Sequence, residues 1–410
     1  MLCYVHLPFC DRICPYCDFA VEEFRRERVE RYLRALRIEL ENARPQEAGT
    51  TSTSNARPQE AGTTSKLSAP KLSTLYLGGG TPSALGADQI AKLLADLFAH
   101  FGAEAGGIEC TLEANPSRNV EDLARYREAG VTRLSIGVQS FDDAELHRLG
   151  RDHSGAQAEA FVHAARRAGH GNVSIDLIAG APGQTPASFA ATLERAIACA
   201  PDHVSVYALT IEAGTPYARW HEREPQAFPE DDAVADLLEQ AHTTLTHAGY
   251  EHYEISNFAR PGFECAHNRG YWRQYDCIAL GMSASGYENG LRYRNVRDFD
   301  AYCTAIESGN SARDEVERLD FADRVGEAAM LALRTSEGME DQDFRDRFGL
   351  DMRTVFLRPI EECRRAGLLE ETRHGVRLTS RGRLLANAAC AQFLHPSFLP
   401  APAASGETTS

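Results

Sequence analysis

Short apolar runs alternate with longer amphipathic stretches through the first half of the chain, and this rhythm constrains the fold more than any other feature. The runs are Cys3–Leu7, Thr74–Leu77, Ile108–Leu112, Arg133–Gly137, Val173–Leu177 and His203–Tyr207. Between them, Glu30–Glu41, Asp88–Phe101, Val120–Ala129, Gln157–Ala168 and Pro186–Ala200 read as helices. In one of these, Phe161, Val162, Ala165 and Ala168 recur at a helical period. Repeated strand–helix alternation predicts an α/β fold, a parallel sheet with helices outside it. Right-handed crossovers curl such a sheet into a barrel or part of one.

The rhythm is broken once. NARPQEAGTTS occurs at 42–52 and again, letter for letter, at 55–65. Two copies are too few for a solenoid, and Pro, Gly, Ser and Thr without bulky apolar residues cannot repay the entropy of ordering. Residues 43–72 are expected to be a disordered surface loop between the first helix and the second strand. Beyond Tyr207, Glu230–Gly249 reads as a helix, 251–259 (EHYEISNFA) as a strand running into a loop, and Asp276–Met282 as a further strand. Residues 298–393 read as mainly helical, closed by a small hairpin at Leu368–Glu371 and Val376–Leu378, a winged-helix-like arrangement. The divisions expected are 1–216, 217–300 and 301–393, with a frayed Pro/Ala/Ser-rich tail at 394–410.

Charge narrows the functional class. Lys+Arg 43 against Asp+Glu 59 gives a net −16, and an acidic chain without clustered Lys/Arg is poorly suited to neutralising phosphates, so nucleic acid is not an expected partner. No run approaches the ~20 apolar residues of a membrane-spanning helix, and the first residues lack a signal peptide's basic and apolar regions. A cytoplasmic protein is expected. There, thiols stay reduced, so the eleven cysteines are not a disulfide framework. Eight of them are scattered and read as small apolar core residues.

The other three form Cys10-x-x-x-Cys14-x-x-Cys17, in a loop just past the first strand. Three thiolates within eight residues suit one soft-metal centre: an iron–sulfur cluster, zinc or copper(I). Zinc would normally take a fourth Cys or His, and position 19, where a fourth cysteine would fit, is Phe19. Two further features bear on a ligand site. GGGTP (78–82) follows the second strand, where glycines allow close backbone approach to a ligand. Glu113, Gln139 and Asp176 stand at the ends of successive apolar strands, the positions that form the rim of an α/β barrel's active site.

The segment YVHLPFCDRICPYCDF (4–19) resembles the radical S-adenosylmethionine (SAM) superfamily, in its coproporphyrinogen-oxidase-like branch, over about residues 2–393. The resemblance implies a partial (β/α)6 barrel and a [4Fe–4S] cluster on Cys10, Cys14 and Cys17, with one iron left for SAM and radical chemistry at the sulfonium. It further implies Gly79, Gly80 and Thr81 against the methionyl moiety. Glu113, Gln139 and Asp176 become SAM contacts, Arg151 a partner for the SAM carboxylate, and Tyr4 and Tyr16 further SAM-adjacent residues.

Within this branch two subfamilies compete, an oxygen-independent coproporphyrinogen III oxidase and the HemW-type heme chaperones. Phe19 in place of a fourth cysteine, only three residues before Tyr4, and His267-Asn-Arg-Gly-Tyr-Trp272 match the chaperone pattern. That last motif resembles H-N-x-x-Y-W of the heme-binding subfamily. It implies His267 as a heme ligand in a loop, with Cys265 as an alternative thiolate, since imidazole or thiolate can ligate heme iron and flanking aromatics can stack on the porphyrin. Heme, respiratory heme-accepting proteins and a homodimer are the partners the resemblance implies. ALGMSASGY (279–287) departs from the Gly-x-Gly-Ala-His-Ser-like segment usual in the family.

Overall fold

The six apolar runs become six parallel strands because each carries two different faces. They are β1 (Leu2–Leu7), β2 (Thr74–Gly79), β3 (Glu109–Ala114), β4 (Arg133–Gln139), β5 (Val173–Ala179) and β6 (His203–Ala208). Side chains alternate along a strand. One set, including Val5, Leu75, Leu112, Ile136, Ile175 and Val204, joins a single buried core under the helices. The opposite set is polar: Thr74, Glu109, Arg133, Ser135, Ser174 and His203 are buried or half-buried facing the lumen. In a barrel filled for stability alone that face would be branched aliphatics; here it is largely polar.

The computed structural model describes residues 1–43, 71–116 and 120–396. The expected disordered loop falls on the repeat, almost all of which lies outside the described residues, as does the tail from 397. The helices between the strands are α1 (Arg26–Asn42), α2 (Ala87–Phe101), α3 (Leu123–Glu128), α4 (Asp143–Arg148), α5 (Gly155–Arg167) and α6 (Pro186–Ala198). Two of them start on capping boxes, Ser154 with Gln157 and Thr185 with Ser188, each N-cap contributing about 1 kcal/mol.

The second half extends the same sheet. After α7 (Pro216–Arg223) and α8 (Asp231–His247), residues 251–259 form two strands, β7 (Glu251–Glu254) and β8 (Asn257–Ala259), where one strand and a loop were expected. Helix α9 (Ala266–Trp272) comes next, followed by β9 (Cys277–Leu280), β10 (Ser285–Glu288) and β11 (Leu291–Asn295). Then α10 (Phe299–Glu307) precedes β12 (Arg313–Arg318). Among the described residues the sheet has twelve strands in the order β12-β11-β10-β9-β1-β2-β3-β4-β5-β6-β8-β7. Strand β9 runs parallel to β1, and β10–β12 fold back antiparallel. Strand β12 was not expected in a helical region. All six of its residues are exposed and all but one are charged, so it shows no alternating apolar pattern to read.

A second core, from Val325 to Phe393, joins α11 (Phe321–Ala332) to α12 (Asp341–Phe348), three further helices (Met352–Val355, Leu357–Arg365 and Ala386–Ala391) and a three-stranded sheet, Met339–Glu340, Gly375–Leu378 and Leu369–Glu371. It agrees with the expected hairpin and winged-helix-like character. Residues 299–318 belong instead with the barrel: α10 packs on α1, and Arg31 of α1 binds Asp300 (2.7 Å) and Glu307 (2.8 Å).

Candidate functional site: the cysteine loop and the barrel rim

The parallel strands deliver their carboxyl ends to one end of the barrel, and there a cavity of about 540 Å³ collects most of the residues singled out above. Its walls include Cys10, Cys14, Tyr16 and Cys17, Gly79, Gly80 and Thr81, Glu113, Gln139, Arg151 and Asp176. These residues come from segments up to about 170 positions apart, brought together because the crossovers are all of one kind. Tyr4 lines an adjoining cavity, and His267 lines neither.

The cysteine loop leaves β1 after a two-residue ladder between Phe9–Cys10 and Glu22–Glu23 that closes its base. Cys17 N–H donates to Cys14 O (3.1 Å), folding the C-x-x-C segment into a turn. All three thiols are free. Cys10 Sγ lies 3.4 Å from Thr81 Oγ1, and Arg151 donates to Cys14 Sγ at 3.5 Å. Burial pushes the Cys10 thiol up to about 12 and raises Cys17, while neighbouring Cys14 raises both. A softly ligated cation would displace those protons on binding. As placed, no three His, Cys, Asp or Glu side chains among the described residues close on a single point. The donor set nevertheless fits a cluster: three thiols on one cavity wall and no fourth ligand, with a guanidinium to offset thiolate charge.

The glycine turn is built for approach. Gly79 has φ +114°, and a Cβ there would lie 2.5 Å from the His6 ring. A Cβ on Gly80 would strike the Pro8 carbonyl. Bare backbone therefore forms this wall. Glu113 accepts from Tyr76 Oη (2.9 Å) and from the Gly79 N–H (3.1 Å). Burial, and next the nearby Asp176, push its carboxyl up to about 7 against those two hydrogen bonds. Asp176 is raised as well, by burial, and accepts from Ser135 at 2.9 Å. Gln139 adopts φ +68° at a bulge in β4, which turns the strand end toward the cavity. Arg151 also donates to Gly137 O (2.8 Å), so its fork is divided between backbone and thiol.

Sequence reasoning missed several wall residues, among them Asn115, Ser135, Tyr207 and Leu209. Tyr207 is detectable by the rule that found Glu113: it closes an apolar strand, β6. Ser135 has no such signal, because a small hydroxyl inside a strand looks like any other strand residue.

His267 corrects an expectation. The motif is not a loop but helix α9, seated at the opposite, amino-terminal end of the strands. Glu109, at the start of β3, accepts the N–H groups of Ala266 and His267, both at 2.9 Å. The imidazole is 1% exposed, with Nδ1 2.7 Å from Thr74 Oγ1 and its ring between Tyr76 and Tyr271. Burial first, then Arg133, lowers its pKa to about 3, so the ring is neutral. Cys265 is buried beside it, its thiol pushed up to about 12 by burial. Replacing His267 by Ala should therefore destabilise the fold by about 2–3 kcal/mol through a cavity and a stranded Thr74 hydroxyl. Urea denaturation checks this; an unmoved midpoint would contradict the buried placement.

Comparison with known proteins agrees with this architecture. The Radical SAM superfamily profile matches residues 59–196, and the HemN C-terminal domain profile matches 319–385. The heme chaperone HemW of Mycobacterium tuberculosis is 36% identical over 391 residues, 94% of this chain and 92% of that protein. HemW of Lactococcus lactis is 32% identical, covering 95% of this chain and 96% of its own. HemW of Escherichia coli is also 32% identical, at 95% and 97%. The solved structure of the Escherichia coli coproporphyrinogen III oxidase, described as a radical SAM enzyme, superposes with TM-score 0.80 at 25% identity, over 96% of this chain and 89% of that one. No described helix is long and apolar enough to cross a membrane. With whole-length relatives at this identity and the cysteine loop set on a parallel barrel, the chain belongs to the HemW family of the radical SAM superfamily.

Proposed function

We propose that this protein is a cytoplasmic heme chaperone, holding a [4Fe–4S] cluster and SAM and passing heme to respiratory acceptor proteins as a homodimer. The reading rests on whole-length similarity to proteins named heme chaperones together with one residue, Phe19, where the four-cysteine pattern has a thiol. Cys10, Cys14 and Cys17 hold the cluster. The bare backbone of Gly79 and Gly80 lets the nucleotide approach, with Thr81 alongside, while Glu113, Gln139 and Asp176 fix its polar groups. Tyr16 flanks the cysteine loop, and Arg151, which donates to Cys14, offsets thiolate charge and supplies a partner for the SAM carboxylate. A bound cluster would supply single-electron chemistry at the SAM sulfonium.

A second reading, radical decarboxylation of coproporphyrinogen III, is favoured by the oxidase's structural likeness over nearly the whole chain. One anaerobic preparation, assayed for hemin uptake and for coproporphyrinogen turnover, separates the two. Stoichiometric hemin binding without protoporphyrinogen formation is expected; turnover without heme binding would replace the first reading by the second.

A further inference from the structure

Arg133 is the largest of the fully buried side chains, 2% exposed inside the barrel. Its Nε finds no acceptor, and among the described residues no carboxylate comes within ion-pair reach of its guanidinium. A guanidinium stays charged in a folded protein. Buried without a counter-ion it is costly, whereas a branched aliphatic would fill the same space without that cost. The strand register shows what the charge lies beneath. On β4, Arg133 stands two residues before Ser135, which pairs with Glu113 of β3, and four before Gly137, which pairs with Asp176 of β5. At about 3.3 Å per residue, its strand position is one layer below the first acid and two below the second, on the same lumen face. We propose that Arg133 is a positioning residue of the SAM site, a fixed charge that balances Glu113 and Asp176 from beneath and leaves their oxygens free for the nucleotide.

Both acids line the cavity of the cysteine loop. Burial raises both carboxyls, and Arg133 opposes the rise in each. The other groups that face them bring no positive charge to the task. Tyr4 of β1, Tyr76 of β2 and Tyr207 of β6 have phenols that burial holds above their ordinary value, so they stay neutral. The His203 imidazole of β6 is neutral too, pushed well down by burial and next by Arg133. Arg151 turns its fork to Cys14 Sγ and Gly137 O. On the far side of Arg133, Glu109 spends its oxygens on the N–H groups of Ala266 and His267.

A direct ion pair would suit the arginine better, but it would consume carboxylate lone pairs. Glu113 already accepts from Tyr76 Oη and the Gly79 N–H, and Asp176 from Ser135 and Ser174. A carboxylate has about four acceptor sites, and those left over are what a ribose or an amino group can use. Held a layer away, the guanidinium acts on both acids through the low-dielectric lumen and takes none of those sites.

This inference rests on the SAM reading above and deepens it. Arg133→Gln removes the charge and keeps a polar amide, while Arg133→Lys keeps a cation. In cofactor-free protein, the gain in urea midpoint on Glu113→Gln grows with pH as the native carboxyl ionises at about 7. With Arg133→Gln in the background, that growth should continue about one pH unit higher; with Arg133→Lys it should end where it does in the wild type. SAM affinity of anaerobically reconstituted protein is then measured by equilibrium dialysis from about pH 6 to 8.5. At pH 7 it should be about fivefold weaker in Arg133→Gln, recover as pH rises, and stay near wild type in Arg133→Lys. A loss by one factor at every pH would reduce Arg133 to lumen filling and overturn the proposal. An unmoved window in cofactor-free Arg133→Gln would also overturn it, while leaving the SAM reading standing. Should Arg133→Gln not fold, Arg133→Lys decides alone, and a pH-independent loss of SAM affinity there overturns the assignment. Wild-type protein that binds no SAM would remove the SAM reading, and with it the purpose assigned to Arg133.

Discussion

Cys14→Ala protein, reconstituted anaerobically with iron and sulfide, should carry no cluster: iron falls from about four per chain to near zero and the broad visible absorption disappears. Cys10→Ala and Cys17→Ala should do the same. The effect is all-or-none because three thiolates are all the protein offers; removing one leaves two, on a cavity wall without a replacement soft ligand. Folding is not the cause, since Cys14 and Cys17 are only half-buried and their truncation opens little cavity. Cys110→Ala provides the contrast. That thiol is buried in the core under α2 and α3, so its loss should cost stability and leave the iron content intact. Full iron retention in all three loop variants would remove the ligand assignment, and zinc in place of iron would remove the cluster.

What the chain declared in advance follows a physical line. Strands β1–β6 were readable because burial on the helix side demands aliphatics at every second position, and their ends were readable because polar residues interrupt there. The cysteine loop was readable as one site because its three thiols are closely spaced in sequence, and they do line one cavity. The segment around position 267 was read as a loop because a short helix held by a distant partner leaves no local pattern; Glu109, more than 150 residues away, fixes that helix. Strand β12 was invisible for a related reason: Arg313–Arg318 gains its strand geometry from backbone pairing with β11, not from any apolar face of its own. The adjoining cavity that Tyr4 lines lies between surfaces contributed by β1, β10 and α11, and no local pattern announces a space between distant segments.

Glu113→Gln should make the cofactor-free protein more stable at pH 8, with a much smaller gain at pH 5. The native carboxyl titrates at about 7, against an ordinary value of 4.5. Its folded form thus keeps a proton that the unfolded chain has released, so this group's contribution to stability falls as pH rises from 4.5 through 7. Above that window the cost levels off at about 3 kcal/mol. Glutamine cannot ionise, and its carbonyl oxygen still accepts from Tyr76 Oη or Gly79 N–H, so the penalty disappears while part of the hydrogen bonding survives. Urea midpoints for both proteins between pH 5 and pH 8 should diverge upward with pH; a gap independent of pH would mean the carboxyl is not held in a desolvated site. The same substitution should weaken SAM binding to the reconstituted protein, because an anionic acceptor pairs more strongly with hydroxyl donors than a neutral amide does. Both results together would mark Glu113 as a buried acid kept for a ligand at a cost to the empty fold.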